Sequence, residues 1–212
     1  MTTVLLTGFE PFAGHTANPS GEAVRLVAAC WDGPETLITA VLPVTFAGAV
    51  DALEQLIAAH SPDVVIATGL AGGRSEVSIE RVALNLIDAR IPDNAGAQPI
   101  DALSVEGAPS ARLSTLPVKA IVRDATAAGI PTGLSTTAGT FVCNHTFFVA
   151  TEAAAHRPGL RAGFIHVPWA DGQAPDGGAT LPLSEIARAI SIAVRTTLDT
   201  PVDVHAVDGS LH

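Results

Sequence analysis

Cys143 lies in the stretch TAGTFVCNHTFFV (Thr137 to Val149), where Ala138 and Gly139 lead through Thr140 and Phe141 into an apolar run of helical character. The order reads as a strand, a tight turn and a helix. Such a turn would set the sulfur beside backbone N–H groups that lack an intrahelical partner. Their partial positive charge favours the thiolate, the form of cysteine that acts as a nucleophile. The competing reading is a packed, inert thiol, because free cysteine is among the most buried residue types. Partners elsewhere in the chain must decide between the two.

A cysteine nucleophile needs a base, and an acceptor that orients the imidazole of that base helps it. Of the seven histidines, His145 is nearest in sequence, but residues two apart on a helix point to different sides. His166 closes an apolar strand in FIHVP and reaches the same sheet edge as the cysteine turn. Among the acids, Glu80 sits where the alternation of EVSIERVALNLIDAR (Glu76 to Arg90) slips at Glu80–Arg81. A slip of this kind marks a bend or bulge, a device that re-aims a side chain. Glu76, Asp88 and Asp93 read instead as solvated or loop-forming.

The elements that must carry these residues follow from periodicity and punctuation. Val4 to Leu6 is a first strand ending in Thr7 and Gly8. A Gly- and Pro-rich loop holding Phe9 and Phe12 follows, and these two rings read either as a pocket wall or as loop anchors. Asn18 before Pro19 starts a helix to Cys30. Thr36 to Val41 is a strand, Phe46 to Ala59 a helix and Asp63 to Thr68 a strand. The next turn, GLAGGR, lacks the spacing of a phosphate-binding loop and reads as a place where a substrate approaches the backbone closely. Residues 91–110 form a long irregular loop, of the kind that is often functional. Pro117 to Ala128 is a helix, Pro131 to Ser135 a strand, and the helix after Cys143 runs to His156. Arg161 to Val167 is a strand and Leu183 to Leu198 the last helix. Strands and helices thus alternate, with one antiparallel excursion near Glu76 to Arg90. The expected fold is one α/β domain over residues 1–212, a three-layer α/β/α sandwich on a largely parallel sheet, with its site beyond the carboxyl ends of the strands.

Composition excludes several classes. The net charge is −10 and the eleven Lys and Arg are scattered, so there is no basic surface for nucleic acid. The short apolar N-terminal run is neither signal peptide nor membrane span. Cys30 and Cys143 have no neighbouring Cys or His in a zinc spacing, so no metal and no cofactor is expected, and two unpaired thiols suit a reduced, cytoplasmic setting.

Four blocks in order, LLTGFEPFAG, ERVALNLIDARIPDNAG, AGTFVCNH and GFIHVP, resemble the type I pyroglutamyl peptidases, also called pyrrolidone-carboxylate peptidases, over nearly the whole chain. The resemblance implies a cysteine exopeptidase acting on N-terminally pyroglutamylated peptides, with Glu80, Cys143 and His166 as its triad. It also implies an oxyanion-stabilising role for Arg90 and a pocket for the flat lactam built by Phe9, Phe12, Leu70, Ile91, Phe141 and Val142. A homodimer or a homotetramer is the assembly it implies. One departure is visible, since many members carry glutamine where this chain has Leu70; a backbone contact to the substrate would tolerate the change. Two other readings keep the fold: a binding protein for a nucleoside or other small ligand in which Cys143 is merely packed, and a thiol amidase acting on a free small amide.

Overall fold

A computed structural model of the protein describes residues 2–208. Its main sheet has six strands in the order β2 (Thr36–Leu42), β1 (Thr3–Phe9), β3 (Val64–Leu70), β8 (Arg161–Val167), β4 (Val77–Glu80) and β7 (Thr132–Ser135). The first four are parallel, β4 is antiparallel to β8, and β7 runs with β4. The reversal therefore involves two strands, one more than the single excursion read from the sequence.

Side chains alternate across the strands and sort two cores. Val4, Leu6, Ile66, Ile79, Ile165 and Val167 face the helices α1 (Pro19–Cys30), α3 (Val118–Ala127) and α5 (Leu183–Asp199). Leu5, Phe9, Val65, Ala67 and Phe164 face α2 (Phe46–His60) and α4 (Val142–His156). The result is the expected α/β/α layering. The helix starts have local causes: the Asn18 side chain accepts from the Ser20 N–H at 3.1 Å with Pro19 in the first turn, and Thr45 accepts from the Gly48 N–H at 3.1 Å.

The predicted strand of residues 76–90 breaks at Arg81. Val82–Leu84 (β5) leaves the main sheet and pairs with β6 (Ala111–Leu113) in a separate two-stranded ladder. The long loop between them is pinned by reciprocal backbone bonds of Ile87 with Ala102. Asp93, read as solvated or loop-forming, does shape the loop but is buried. It accepts from the N–H groups of Ala95 and Ala97 at 2.9 and 2.8 Å and from that of Phe46 at 2.8 Å, which caps α2. Beyond β8 lie β9 (Trp169–Ala170), paired with β10 (Thr180–Leu181), and a short 3-10 turn at Pro175–Gly177.

Candidate active site

Cys143 is the second residue of α4. No side chain caps this helix, and its first intrahelical bond runs from the His145 N–H to the Phe141 carbonyl at 3.1 Å. The N–H groups of the three preceding residues therefore have no helical acceptor. Neighbouring residues fix this end of the helix. Asn144, wholly buried, accepts from the Leu84 N–H at 2.9 Å and donates to the carbonyls of Leu84 and Leu86 at 2.9 and 3.0 Å. Thr140 donates to the Asp88 carbonyl at 2.8 Å. The helix start is thus fastened to the segment that leaves β4.

The sulfur rests on the sheet at Gly69, near the end of β3. A Cβ at this position would meet Sγ at 2.7 Å and the Phe164 ring at 2.8 Å, so only glycine admits this approach. Gly69 is the register partner of His166 on β8, and Phe164 lies two residues before His166 on the same face, its ring centroid 4.9 Å from the imidazole. Sulfur and imidazole therefore share one face at adjacent strands. Glu80 ends β4, which runs the opposite way, and its register partner is Phe164. It lies one step deeper along the sheet, 0% exposed, and its Oε1 stands 2.7 Å from His166 Nδ1.

The same Oε1 accepts from Arg74 Nη1 at 2.7 Å, while Arg74 Nη2 donates to the Thr137 carbonyl at 2.9 Å. Arg74 has no place among the candidates read from the sequence. Its only signal there was a cation at the end of the Gly-rich turn GLAGGR, and its partner is supplied by the fold.

Electrostatics correct the expectation of a thiolate. Burial, followed by the negative charge of Glu80, pushes the Cys143 thiol up to about 12. Arg74 and the backbone N–H at the helix start pull the other way and are outweighed. Burial likewise holds His166 below the usual imidazole range against the pull of Glu80. The resting pair is a thiol beside a neutral imidazole. His145 is placed differently: it packs on Phe46, its Nδ1 has no partner among the described residues, and burial lowers it to about 4.

Beside the sulfur lies a small apolar pocket of ≈ 20 Å³. Phe9, Phe12, Leu70, Phe141 and Val142, all candidates read from the sequence, line it together with Asn18 and Val44, which the sequence reading did not include. Phe141 is held edge-on by Phe46 at 5.2 Å and meets Phe12 at 6.3 Å. Arg90 and Ile91 are exposed on the loop after β5 and are not among the lining residues. The wider cleft between α3 and α5, lined by Arg123, Arg188 and Arg195, is remote from the cysteine. Among the described residues no group of three His, Cys, Asp or Glu could hold a metal ion, and no helix is long and apolar enough to cross a membrane.

Known proteins resemble the chain over its length. The family model described as pyroglutamyl peptidase matches residues 2–200. The chain is 50% identical to a pyrrolidone-carboxylate peptidase of Cupriavidus pinatubonensis and 48% identical to one of Clavibacter michiganensis, in both cases over 100% of each chain. It superposes on the crystal structure of pyroglutamyl peptidase I from Bacillus amyloliquefaciens with a TM-score of 0.92 at 41% identity, covering 96% of this chain and 100% of that one. The pyrrolidone carboxyl peptidase of Thermococcus litoralis gives a TM-score of 0.92 at 37% identity, with 98% and 99% covered.

Proposed function

The chain belongs to the pyroglutamyl peptidase family, and from that premise we propose that it removes an N-terminal pyroglutamyl residue from peptides, with Cys143 as nucleophile, His166 as base and Glu80 as the group that orients the base. The observation that carries this reading is the 2.7 Å contact of His166 Nδ1 with the buried Glu80. It fixes the proton on Nδ1 and leaves Nε2 as the proton acceptor on the face where the sulfur lies.

Since the resting thiol is protonated, attack requires its transfer to His166 Nε2 as the sulfur adds to the pyroglutamyl carbonyl carbon. Glu80 stabilises the imidazolium formed in that step. The oxyanion is met by the free N–H groups at the start of α4, which also carries its positive dipole end there. The C–N bond then breaks, His166 gives its proton to the departing amine, and the pyroglutamyl group remains as a thioester on Cys143. Water, deprotonated by His166, hydrolyses the thioester, releasing pyroglutamate and restoring the thiol.

The pocket suits the lactam, which is flat, uncharged and apolar on its faces, and needs aromatic walls with few polar contacts. Its free volume is that of about one water molecule, so a ring enters by displacing a wall. Phe12 is a half-buried wall on the loop after β1, which is fastened just before it by Asn18 on the Glu10 carbonyl at 2.9 Å and by Asn94 on the Pro11 carbonyl at 3.0 Å, and turned back behind it by the His15 N–H on the Phe12 carbonyl at 3.1 Å. Release of the amine from an L-pyroglutamyl anilide tests the proposal. Turnover abolished by Cys143→Ala is the supporting result; no turnover by the intact protein, or turnover surviving that change, overturns it.

A further inference from the structure

Among the described residues, Arg74 is the one charged side chain in contact with the proposed acid–base pair to which the reaction scheme gives no task. Its guanidinium spans two parts of the site. Nη1 bonds Oε1 of Glu80, the oxygen that also takes His166 Nδ1, and Nη2 bonds the carbonyl of Thr137 in the turn that leads into the Cys143 helix. Glu80 is wholly enclosed, and its Oε2 has no partner among the described residues. One carboxylate oxygen thus serves two donors of different kinds.

We propose that Arg74 is a positioning residue: its fork ties the Glu80–His166 pair to the turn that carries the nucleophile, and its charge offsets that of Glu80 and so adds to burial in keeping His166 a neutral base. The inference rests on the triad reading above. The physical reason is that a buried carboxylate facing an imidazole alone would hold that imidazole as its own counter-cation, and an imidazolium cannot take the thiol proton. A guanidinium on the same oxygen supplies the positive charge instead, and competes for the lone pairs that would otherwise go to the ring. The titratable groups facing His166 are Glu80 from β4, Cys143 from α4 and Arg74 from the turn after β3. Arg74 is the only cation among them, and its presence lowers His166 and Cys143 together. Lysine would keep the charge but not the fork, since an ammonium is a single point that cannot hold two acceptors in a fixed plane.

The test is a titration of the His166 ring by NMR in histidine-labelled protein, its resonance assigned by its loss in His166→Asn, run with kcat/KM on a pyroglutamyl anilide and with melting temperature. In Arg74→Gln the midpoint of His166 should rise by about one pH unit, the acid limb of kcat/KM should rise with it, and KM should hardly change. In Arg74→Lys the midpoint should return to near the wild-type value while kcat stays about tenfold low. An unmoved midpoint in a folded Arg74→Gln protein would overturn the charge-balancing role and reduce Arg74 to a loop tether. Should Arg74→Gln fail to fold, Arg74→Lys decides, because wild-type kcat in that variant overturns the fork. The titration needs no substrate, so an intact protein that fails to cleave the anilide counts against the proposed function while the midpoints still decide the role of Arg74.

Discussion

Gly69 and Cys143 are in contact closer than any side chain would permit: a methyl group at Gly69 would stand 2.7 Å from Sγ, with the Phe164 ring behind it at 2.8 Å. Neither neighbour can retreat easily, since Phe164 is wholly buried and Cys143 is held by the fastened start of α4. Gly69→Ala should therefore push the sulfur from its seat on the sheet beside the His166 strand. A displacement of about 1 Å at a nucleophile costs on the order of a hundredfold in rate. We expect kcat/KM on a pyroglutamyl anilide to fall by about that factor, with a smaller loss of stability. Wild-type kcat/KM in this variant would show that the contact does not fix the sulfur.

The two cysteines separate chemistry from packing. Cys143→Ala or Cys143→Ser should abolish turnover with the fold retained, because the sulfur is lost with little change in volume. Cys30 ends α1 and is exposed, so Cys30→Ala should leave turnover nearly unchanged. The same pair measured by alkylation and protection with a pyroglutamyl analogue distinguishes the peptidase from a binding protein of the same fold. Equal loss of activity in the two variants would mean that stability had been mistaken for catalysis.

His166→Ala should be nearly as damaging as loss of the thiol. Glu80→Gln should be milder, as the amide keeps an acceptor for Nδ1 but no longer stabilises an imidazolium. His145→Ala is the control, since that ring packs on Phe46 away from the acid. A greater loss of turnover in folded His145→Ala than in His166→Ala would exchange the assignment of the base.

Much of this site was legible in the sequence, and the remainder was not for identifiable reasons. The helix Pro19–Cys30 was announced by Asn18 and Pro19, and the break at Arg81 by a lost alternation, since caps and periodicity act over a few residues. β6 gave no such signal, because Ala111–Leu113 is a short, largely exposed strand whose partner is set by the loop it closes. The state of the Cys143 thiol misled for the same kind of reason: the helix start was visible, but burial and the charge of Glu80, which outweigh it, come from distant strands. Arg74 was invisible as a partner of Glu80 until β3 and β4 were placed on either side of β8.

Stability should fall at both ends of the pH range, with a different residue at each. His145 titrates at about 4 in the fold against an ordinary 6.5, so the unfolded chain binds its proton first as pH falls. Stability is intact above 6.5 and is lost progressively down to about 4, by up to about 3 kcal/mol. The depressed His166 acts in the same direction. At the alkaline end the unfolded thiol ionises near 9 and the folded one only near 12, so stability is lost as pH rises between them. Melting temperatures across pH should show a flatter acid arm in His145→Gln and a flatter alkaline arm in Cys143→Ala. Arms unchanged in both variants would place the pH dependence elsewhere.

Selectivity is the sharpest consequence of the pocket. Its walls are the rings of Phe9, Phe12 and Phe141 with Val44, Leu70 and Val142, and the only polar side chain among them besides the thiol is Asn18. An open N-terminal glutamine would bring an ammonium into that surface, and glutamate a carboxylate as well. An unpaired charge there is costly, whereas the closed lactam brings none. The enzyme should therefore cleave a pyroglutamyl amide and leave the matched glutaminyl and glutamyl amides intact. A prolyl amide, whose ring nitrogen is charged and which lacks the lactam carbonyl, should also be poor. Phe12→Ala should raise KM for the pyroglutamyl substrate, at a cost on the order of 1–3 kcal/mol if the ring closes over the ligand. Measured kcat/KM values across the matched amides decide the matter: comparable values for glutaminyl and pyroglutamyl substrates would rule out an apolar pocket that reads the lactam.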